Sequence, residues 1–423
     1  MIVTDILLIF LGAIISIKAY KKICFEHNAS VANYVILITY VFCIVPIIFN
    51  YIVGIPTYTS AYWYKPFIAA MQDETIGIIY DIYILSALFF LYIFESKRGR
   101  KYSKEDQKRN NMIDFLKRHK MICWMIILSP LILIISNGTL RNYAIYTTTQ
   151  NRGLSEVSSN RWVTPLLLAS LVIYFSVYFK DSISNRKKIL SFVYFFVIAW
   201  ISGKRFIFAN IIILMLFYLT NMKLDINKRK KIYYVLPILA ISLILLSGVY
   251  LSVIKPAKVK SDHSVYDMLR VDFGRDDVTK YVIKKEFFDK QPILEYRGET
   301  FISLFLELVP RKIWKSKPYP HYMYLTSSIL NLPITNLPAG TTPSWYEMCL
   351  CNFSYFGFMI AIYLLCLFCR LLDNTNDVDI KGIGMLLLSV LLTQSMDVYF
   401  TIVIVLIMLV LLRKVKIRYT RMW

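Results

Sequence analysis

Cations gathered around proline and tryptophan give one stretch of this 423-residue chain the means to hold phosphate. Pro310-Arg311 is followed by Trp314 and then by Lys317-Pro318. Proline fixes the direction of the chain, tryptophan favours a membrane interface, and both kinds of cation can reach phosphate oxygens. Upstream stand Arg275, Asp276 and Asp277, then Arg297-Gly298. Downstream, Gly340 to Pro343 lead into Ser344, Trp345 and Glu347, then Asn352 and Gly357. Two short turns carry charge as well, Gly203-Lys204-Arg205 and Ser395-Met396-Asp397.

The elements that must position these residues are long apolar runs. The chain is 57% hydrophobic, with a mean hydropathy of +0.53, whereas an ordinary soluble domain is about 45–50% apolar. Runs near 20 residues match the bilayer core at about 1.5 Å of rise per helical residue. Backbone groups in lipid must be satisfied internally, so helices are the expected form. The runs lack period-two alternation, which argues against a barrel. The expected spans are Ile2–Ile17, Val31–Ile52, Ile76–Phe94, Met121–Ser136, Val163–Phe179, Ile189–Ser202, Phe206–Thr220, Ile232–Ile254, Tyr346–Phe368, Ile383–Thr393 and Val398–Leu412. The expected fold is therefore an all-α polytopic membrane protein with about eleven spans. Residues 1–254 hold eight of them, 255–345 form one large hydrophilic loop, and 346–423 hold the last three and a basic tail.

The formal charge of +22 sets topology rather than pointing to nucleic acid. Among short loops, 29 Lys and Arg fall on one side and 6 on the other. The N-terminus is thus expected outside and the C-terminus inside, with the large loop extracytoplasmic. That loop carries 14 basic and 10 acidic residues. Its apolar stretch from Phe301 to Val309 could lie as a helix on the membrane surface. The seven cysteines sit mostly in apolar runs, and Cys366-x-x-Cys369 reads as packing rather than redox or zinc chemistry. The four His, at 27, 119, 263 and 321, have no ligand-like spacing, so no metal and no cofactor are expected.

Ionisable residues in or beside spans are costly and mark function. Here Asp81, Lys204, Arg205, Glu347 and Asp397 all fall toward the outer side, and none is expected at mid-membrane. Ion-coupled carriers place such groups at the midplane. An enzyme working on a lipid-anchored substrate would place them at headgroup level.

The Pro310–Pro318 element in the large loop resembles that of the Wzy-type polysaccharide polymerases, the O-antigen and oligosaccharide repeat-unit polymerases of bacteria. The Gly203-Lys204-Arg205 turn is similar to a Gly-x-Arg turn of that family. Pro343, Ser344, Glu347, Asn352 and Gly357 match its Pro-Ser, acid, Asn, Gly pattern. Of a later Arg-Gly-Asp-like turn, only Asp397 is kept. The resemblance implies a GT-C-like glycosyltransferase of the bacterial cytoplasmic (inner) membrane, acting on its outer face. Its substrate would be a polyprenyl-pyrophosphate-linked oligosaccharide, joined into capsule, exopolysaccharide or O-antigen, with a flippase and a chain-length regulator as possible partners. It implies transfer of the growing glycan to a new lipid-linked repeat unit, with loss of the pyrophosphate lipid. Arg205, Arg275 and Arg311 would stabilise the leaving group, helped by Lys317 and Lys204. Trp314 and Asp397 would help bind substrate. The base would be Glu347, then His321, whose ordinary pKa is about 6.5, with Asp397 and Asp81 behind them. A glycan ligase shares this chemistry; a lipid-linked oligosaccharide flippase would need a charged central cavity; a scaffold would tolerate loss of the outer arginines.

Overall fold

The computed structural model describes residues 1–26, 29–58, 64–96, 116–136, 163–179, 185–202, 206–221, 225–238, 264–305, 312–337, 340–375 and 377–394, with the single positions 309, 403 and 407. Every regular element among them is helical. In order these are α1 (Ile2–Phe25), α2 (Val31–Ile52), α3 (Pro66–Gln72), α4 (Glu74–Ser96), α5 (Lys120–Ser136), α6 (Val163–Tyr174), α7 (Asn185–Ser202), α8 (Phe206–Asn221) and α9 (226–238). Then come α10 (Ser264–Phe273), α11 (Asp276–Ile283), α12 (Glu299–Phe305), α13 (His321–Leu330), α14 (Trp345–Phe353), α15 (Gly357–Asp373) and α16 (Val378–Thr393).

Four stretches are long and apolar enough to cross a membrane: α1, α2, Glu74–Glu95 of α4, and Trp345–Asp373, which joins α14 to α15. Shorter apolar helices run over Lys120–Ser136, Leu166–Phe179, Leu190–Ala199 and Ala209–Asn221. Bare apolar side chains such as Ile2, Ile6 and Phe10 on α1, Met121 and Met125 on α5, and Phe192 and Phe196 on α7 suit contact with lipid.

The helices run back and forth, as cross-links at both ends show. At one end the Thr4 hydroxyl donates to Asp81 of α4 at 2.6 Å, and Tyr51 near the close of α2 donates to Asp5 at 2.6 Å. At the other end Lys22 pairs with Glu95, and Asp373 accepts from Ser30 Oγ and from the Val31 N–H.

Three departures from the sequence reading bear on the site. The ninth expected span, Tyr346–Phe368, is not one helix. It breaks at Ser354, whose φ of +52° and ψ of −134° no helix accommodates, and resumes at Gly357. Gly357 is required there, because a Cβ would lie 2.4 Å from the Cys349 carbonyl oxygen. The tenth begins earlier than Ile383, at Val378, because Asp377 caps it by accepting from the Asp379 and Ile380 N–H groups. The loop 255–345 is not simply a hydrophilic lobe: all eight residues of α11 are buried against α3, α4 and α14. The apolar stretch expected from Phe301 starts its helix at Glu299, two residues earlier. All seven cysteines are free thiols.

Candidate functional site

Proline at position 46 sets the site up from within α2. It has no N–H to give the Phe42 carbonyl four residues back. The helix widens there into a π turn over Tyr40–Ile44, a form frequent at functional sites. The freed Phe42 carbonyl accepts the backbone N–H of Arg275 at 3.0 Å, and Cys43's accepts the Tyr80 hydroxyl at 2.7 Å. The junction of α10 and α11 is thereby docked on the wall of the bundle.

That junction is a tight corner. Gly274 donates to the Arg270 carbonyl at 2.7 Å, and a Cβ on it would lie 2.6 Å from that same oxygen. Arg270 folds back over the corner and grips both oxygens of Asp276, at 2.8 and 2.9 Å, with both side chains buried. Asp277 accepts the Tyr58 hydroxyl at 2.6 Å, and Asp267 accepts from the Thr57 N–H and hydroxyl. Both acids of α11 lie in its first turn, where the helix dipole favours negative charge. Burial works against the Asp276 carboxylate, but the Arg270 guanidinium outweighs it and holds the group below the usual carboxylate range. Burial, with Asp276's charge next door, pushes Asp277 up. Arg275 gives its fork to main chain: Nε and Nη2 donate to the Thr393 carbonyl at 3.1 and 2.7 Å, and Nη1 to Gly274 O. It thus ties α11 to the last turn of α16. Lys280 is buried one turn further along α11, its ammonium 5.1 Å above the Tyr80 ring.

Glu347 stands at the third position of α14. Its carboxylate accepts both the N–H and the hydroxyl of Ser344, each at 2.5 Å, the back-reaching half of a capping box. The far end of α14 is held just as closely. Arg297 donates to the Cys351 carbonyl and pairs with Glu286, both at 2.6 Å, while Asn352 exchanges hydrogen bonds with Thr300. Trp345 donates its indole N–H to Ala361 across the break.

His321 opens α13, behind Pro320, with its side chain fully buried. Its Nε2 lies 3.9 Å from Oε1 of the equally buried Glu347. Neither imidazole nitrogen has a hydrogen-bond partner among the described residues, and neither does the buried Thr341 hydroxyl. Burial pushes the imidazole's pKa down to about 3, so it is neutral near pH 7. The expectation of a loop histidine with an ordinary pKa is corrected on both counts: it is a helix residue, and desolvation disfavours its cation. The charge of Arg275 reaches Glu347.

The structure therefore brings Glu347, His321 and Arg275 into one buried region. Asp81 belongs to the same end of the bundle, beside Asp5 and Thr4, with Lys280 near enough for its charge to act on it. Trp314 and Lys317 sit in one turn, where the indole donates to Ser316 and the ammonium to the Val309 carbonyl. Arg205, Lys204, Arg311 and Asp397 lie outside the described residues. Sequence reasoning passed over Arg270, Tyr58, Lys280 and Thr341. Of these, Arg270 had a legible signal, a basic residue four before a glycine that precedes Arg-Asp-Asp; the others have none. No family model, no curated protein and no solved structure matches the chain.

Proposed function

We propose that this chain polymerises lipid-linked oligosaccharide repeat units at the outer face of a bacterial cytoplasmic membrane, as its resemblance to the Wzy-type polymerases implies. The observation that carries the reading is the His321–Glu347 pair. A neutral imidazole whose nitrogens have no hydrogen-bond partner among the described residues stands 3.9 Å from a buried carboxylate, at the end of the bundle where the loop region re-enters. This is the equipment for taking a proton from a hydroxyl. The acceptor sugar's oxygen attacks the anomeric carbon of the growing glycan. The bond from that carbon to the pyrophosphate breaks, and its electron pair leaves with the polyprenyl pyrophosphate. The hydroxyl proton passes to the Glu347 carboxylate, the base the sequence puts first, while the neutral His321 imidazole beside it holds the same hydroxyl. Apo geometry of this kind is often longer than a hydrogen bond and closes when substrate arrives. Arg275, with Arg205 and Arg311, is assigned to the leaving group. Its fork already holds the α16 carbonyl, so its role includes fixing the site's frame.

The reading keeps eleven spans, N-terminus outside and C-terminus inside, on the strength of the charge asymmetry in the short loops. Tyr51, Asp5 and Asp81 sharing one end, and Lys22 with Glu95 the other, support that alternation. A lipid-linked oligosaccharide carrier is the rival reading. The break at Ser354 favours it, because carriers bind at interrupted helices. Against it, the carbonyls near this break are already taken, Cys351's by Arg297 and Leu350's by the Ser354 N–H.

The test uses the intact protein in proteoliposomes, supplied with lipid-linked repeat unit extracted from host cells lacking the gene. A ladder of polymer lengths and released polyprenyl pyrophosphate are expected. Movement of the unit across the bilayer with no new glycosidic bond would replace this reading with the carrier.

A further inference from the structure

α1 and α4 run parallel and keep nearly one register from end to end. Met1 lies against Gly77, where a Cβ would meet its side chain at 2.9 Å, and Thr4 bonds Asp81 at 2.6 Å. At the far end Lys22 pairs with Glu95. Asp5 and Asp81 therefore stand level with each other, one turn beyond Met1 and one turn beyond Gly77. Each is 2% exposed, and the two carboxyls are within hydrogen-bonding reach of one another.

Hydrogens are too few where these acids meet. Tyr51 gives its one hydrogen to Oδ2 of Asp5 at 2.6 Å. Thr4 also has one, and it faces two acceptors, Oδ2 of Asp81 and the Met1 carbonyl at 2.8 Å. Oδ1 of Asp5 and Oδ1 of Asp81 are both buried and have no donor among the described residues. A carboxylate only accepts, whereas a protonated carboxyl also donates. Two carboxylates this close and out of water repel each other; one proton between them replaces the repulsion with a hydrogen bond. A proton needs no cavity, so close packing of the helices does not exclude it.

The charges around the pair agree with a single proton. From α11, Lys280 acts on Asp81 by its charge, which balances one carboxylate and not two. The other titratable groups facing the pair are the Tyr51 hydroxyl of α2 and the Tyr80 hydroxyl of α4, both neutral near pH 7. Asp73 and Glu74 stand about two turns up α4, where Asp73 accepts the Thr75 and Ile76 N–H groups.

We propose that Asp5 and Asp81 bind one proton between them, and that this shared proton clasps α1 to α4. Its loss sets two negative charges face to face across the seam and loosens it. The clasp is independent of the glycan chemistry, since it involves neither His321 nor Glu347.

Infrared spectroscopy of the full chain in liposomes tests this. A protonated carboxyl has a carbonyl stretch clear of the amide bands. Spectra of Asp5→Asn and Asp81→Asn are each subtracted from the wild-type spectrum at neutral pH. Either variant leaves one carboxyl with nothing to share, so both differences should show loss of the same band, worth one carboxyl per chain. A band lost in only one variant would mean a lone protonated acid and overturn the sharing. No band lost in either would mean two carboxylates, held by a cation or by water, and overturn the proton. Where an asparagine variant does not fold, Asp5→Ser and Asp81→Ser supply the same comparison. The clasp itself is read from melting temperature. The folded chain holds a proton that the unfolded chain releases, so raising the pH should lower the melting temperature of the wild type more than that of either variant. Equal falls in all three would overturn the clasp.

Discussion

The two ends of the helix bundle use charge in different ways. At the end holding Lys22, Glu95, Asp373 and Asp377, charged groups finish helices. Asp373 takes the Val31 N–H at the start of α2, Asp377 caps α16, and Arg229 donates to the carbonyls of Cys24, Glu26 and Thr220. At the end holding α11 and the start of α14, charged groups are buried and face one another or a tyrosine hydroxyl. Arg270 grips Asp276, Tyr58 holds Asp277, and His321 faces Glu347 without touching it. Capping satisfies groups that any helix end must satisfy. Burying an imidazole with two idle nitrogens serves no helix. The proposed function puts its chemistry at the second end and leaves the first to structure.

The largest effect should come from breaking the buried pair at the second end. Arg270→Ala leaves Asp276 charged and buried without its partner, which costs about 3–5 kcal/mol. Loss of the monodisperse peak in detergent chromatography, or a collapsed melting temperature, is the expected result. An unshifted melting temperature would mean that the corner is not held as described. Tyr58→Phe removes one donor to the Asp277 carboxylate and should cost about 1.5–3 kcal/mol, read as a fall in melting temperature that Asp277→Asn reduces when the two are combined.

The pH dependence of stability sharpens the contrast. Burial depresses the folded pKa of His321 to about 3, from an ordinary value of 6.5. The unfolded chain therefore binds more protons between those values, so the neutral imidazole's contribution is complete above about pH 6.5 and is lost as pH falls toward 3. In that window this one group should weaken the fold by up to about 1.4 kcal/mol per pH unit. His321→Gln should flatten the curve of melting temperature against pH below 6.5. An identical acid slope in the variant would contradict a buried neutral histidine. The smallest effect belongs to the first end. Lys22 is partly exposed, so Lys22→Ala should cost under about 1 kcal/mol and leave polymer yield unchanged. A large loss of yield would erase the distinction between the ends.

Much of this arrangement is visible in the sequence, and what is not has a physical cause. Among the described residues, apolar runs such as Val31–Ile52, Ile76–Phe94 and Met121–Ser136 fall in helices close to where they were expected, because run length and bilayer thickness are tied, while most of Ile232–Ile254 and of Val398–Leu412 lies outside the described residues. Glu347 shows itself as the acid of a Ser-x-x-Glu box before an apolar run. Pro46 shows that α2 must free the Phe42 carbonyl, but not that Arg275, 233 positions after Phe42, takes it. In the sequence, the segment Asp276-Asp277-Val278-Thr279-Lys280 is only part of the hydrophilic stretch 255–345. Its burial depends on Tyr58, Phe42 and Arg270, contacts that no local pattern encodes. His321 likewise reads as a loop residue among tyrosines, and only the return of the chain at 340–347 encloses it. The Pro310–Pro318 element draws attention by composition, yet the contacts described for Trp314 and Lys317 are local.

Glu347→Gln tests the central claim most directly. Glutamine keeps an oxygen for the Ser344 N–H and hydroxyl, so the start of α14 survives, while the charge facing His321 is removed. In proteoliposomes with the extracted lipid-linked repeat unit, turnover should fall by about 10²–10⁴-fold, with binding of the lipid-linked donor and the melting temperature both retained. Turnover within a few-fold of the wild type would contradict the assignment of chemistry to this end of the molecule.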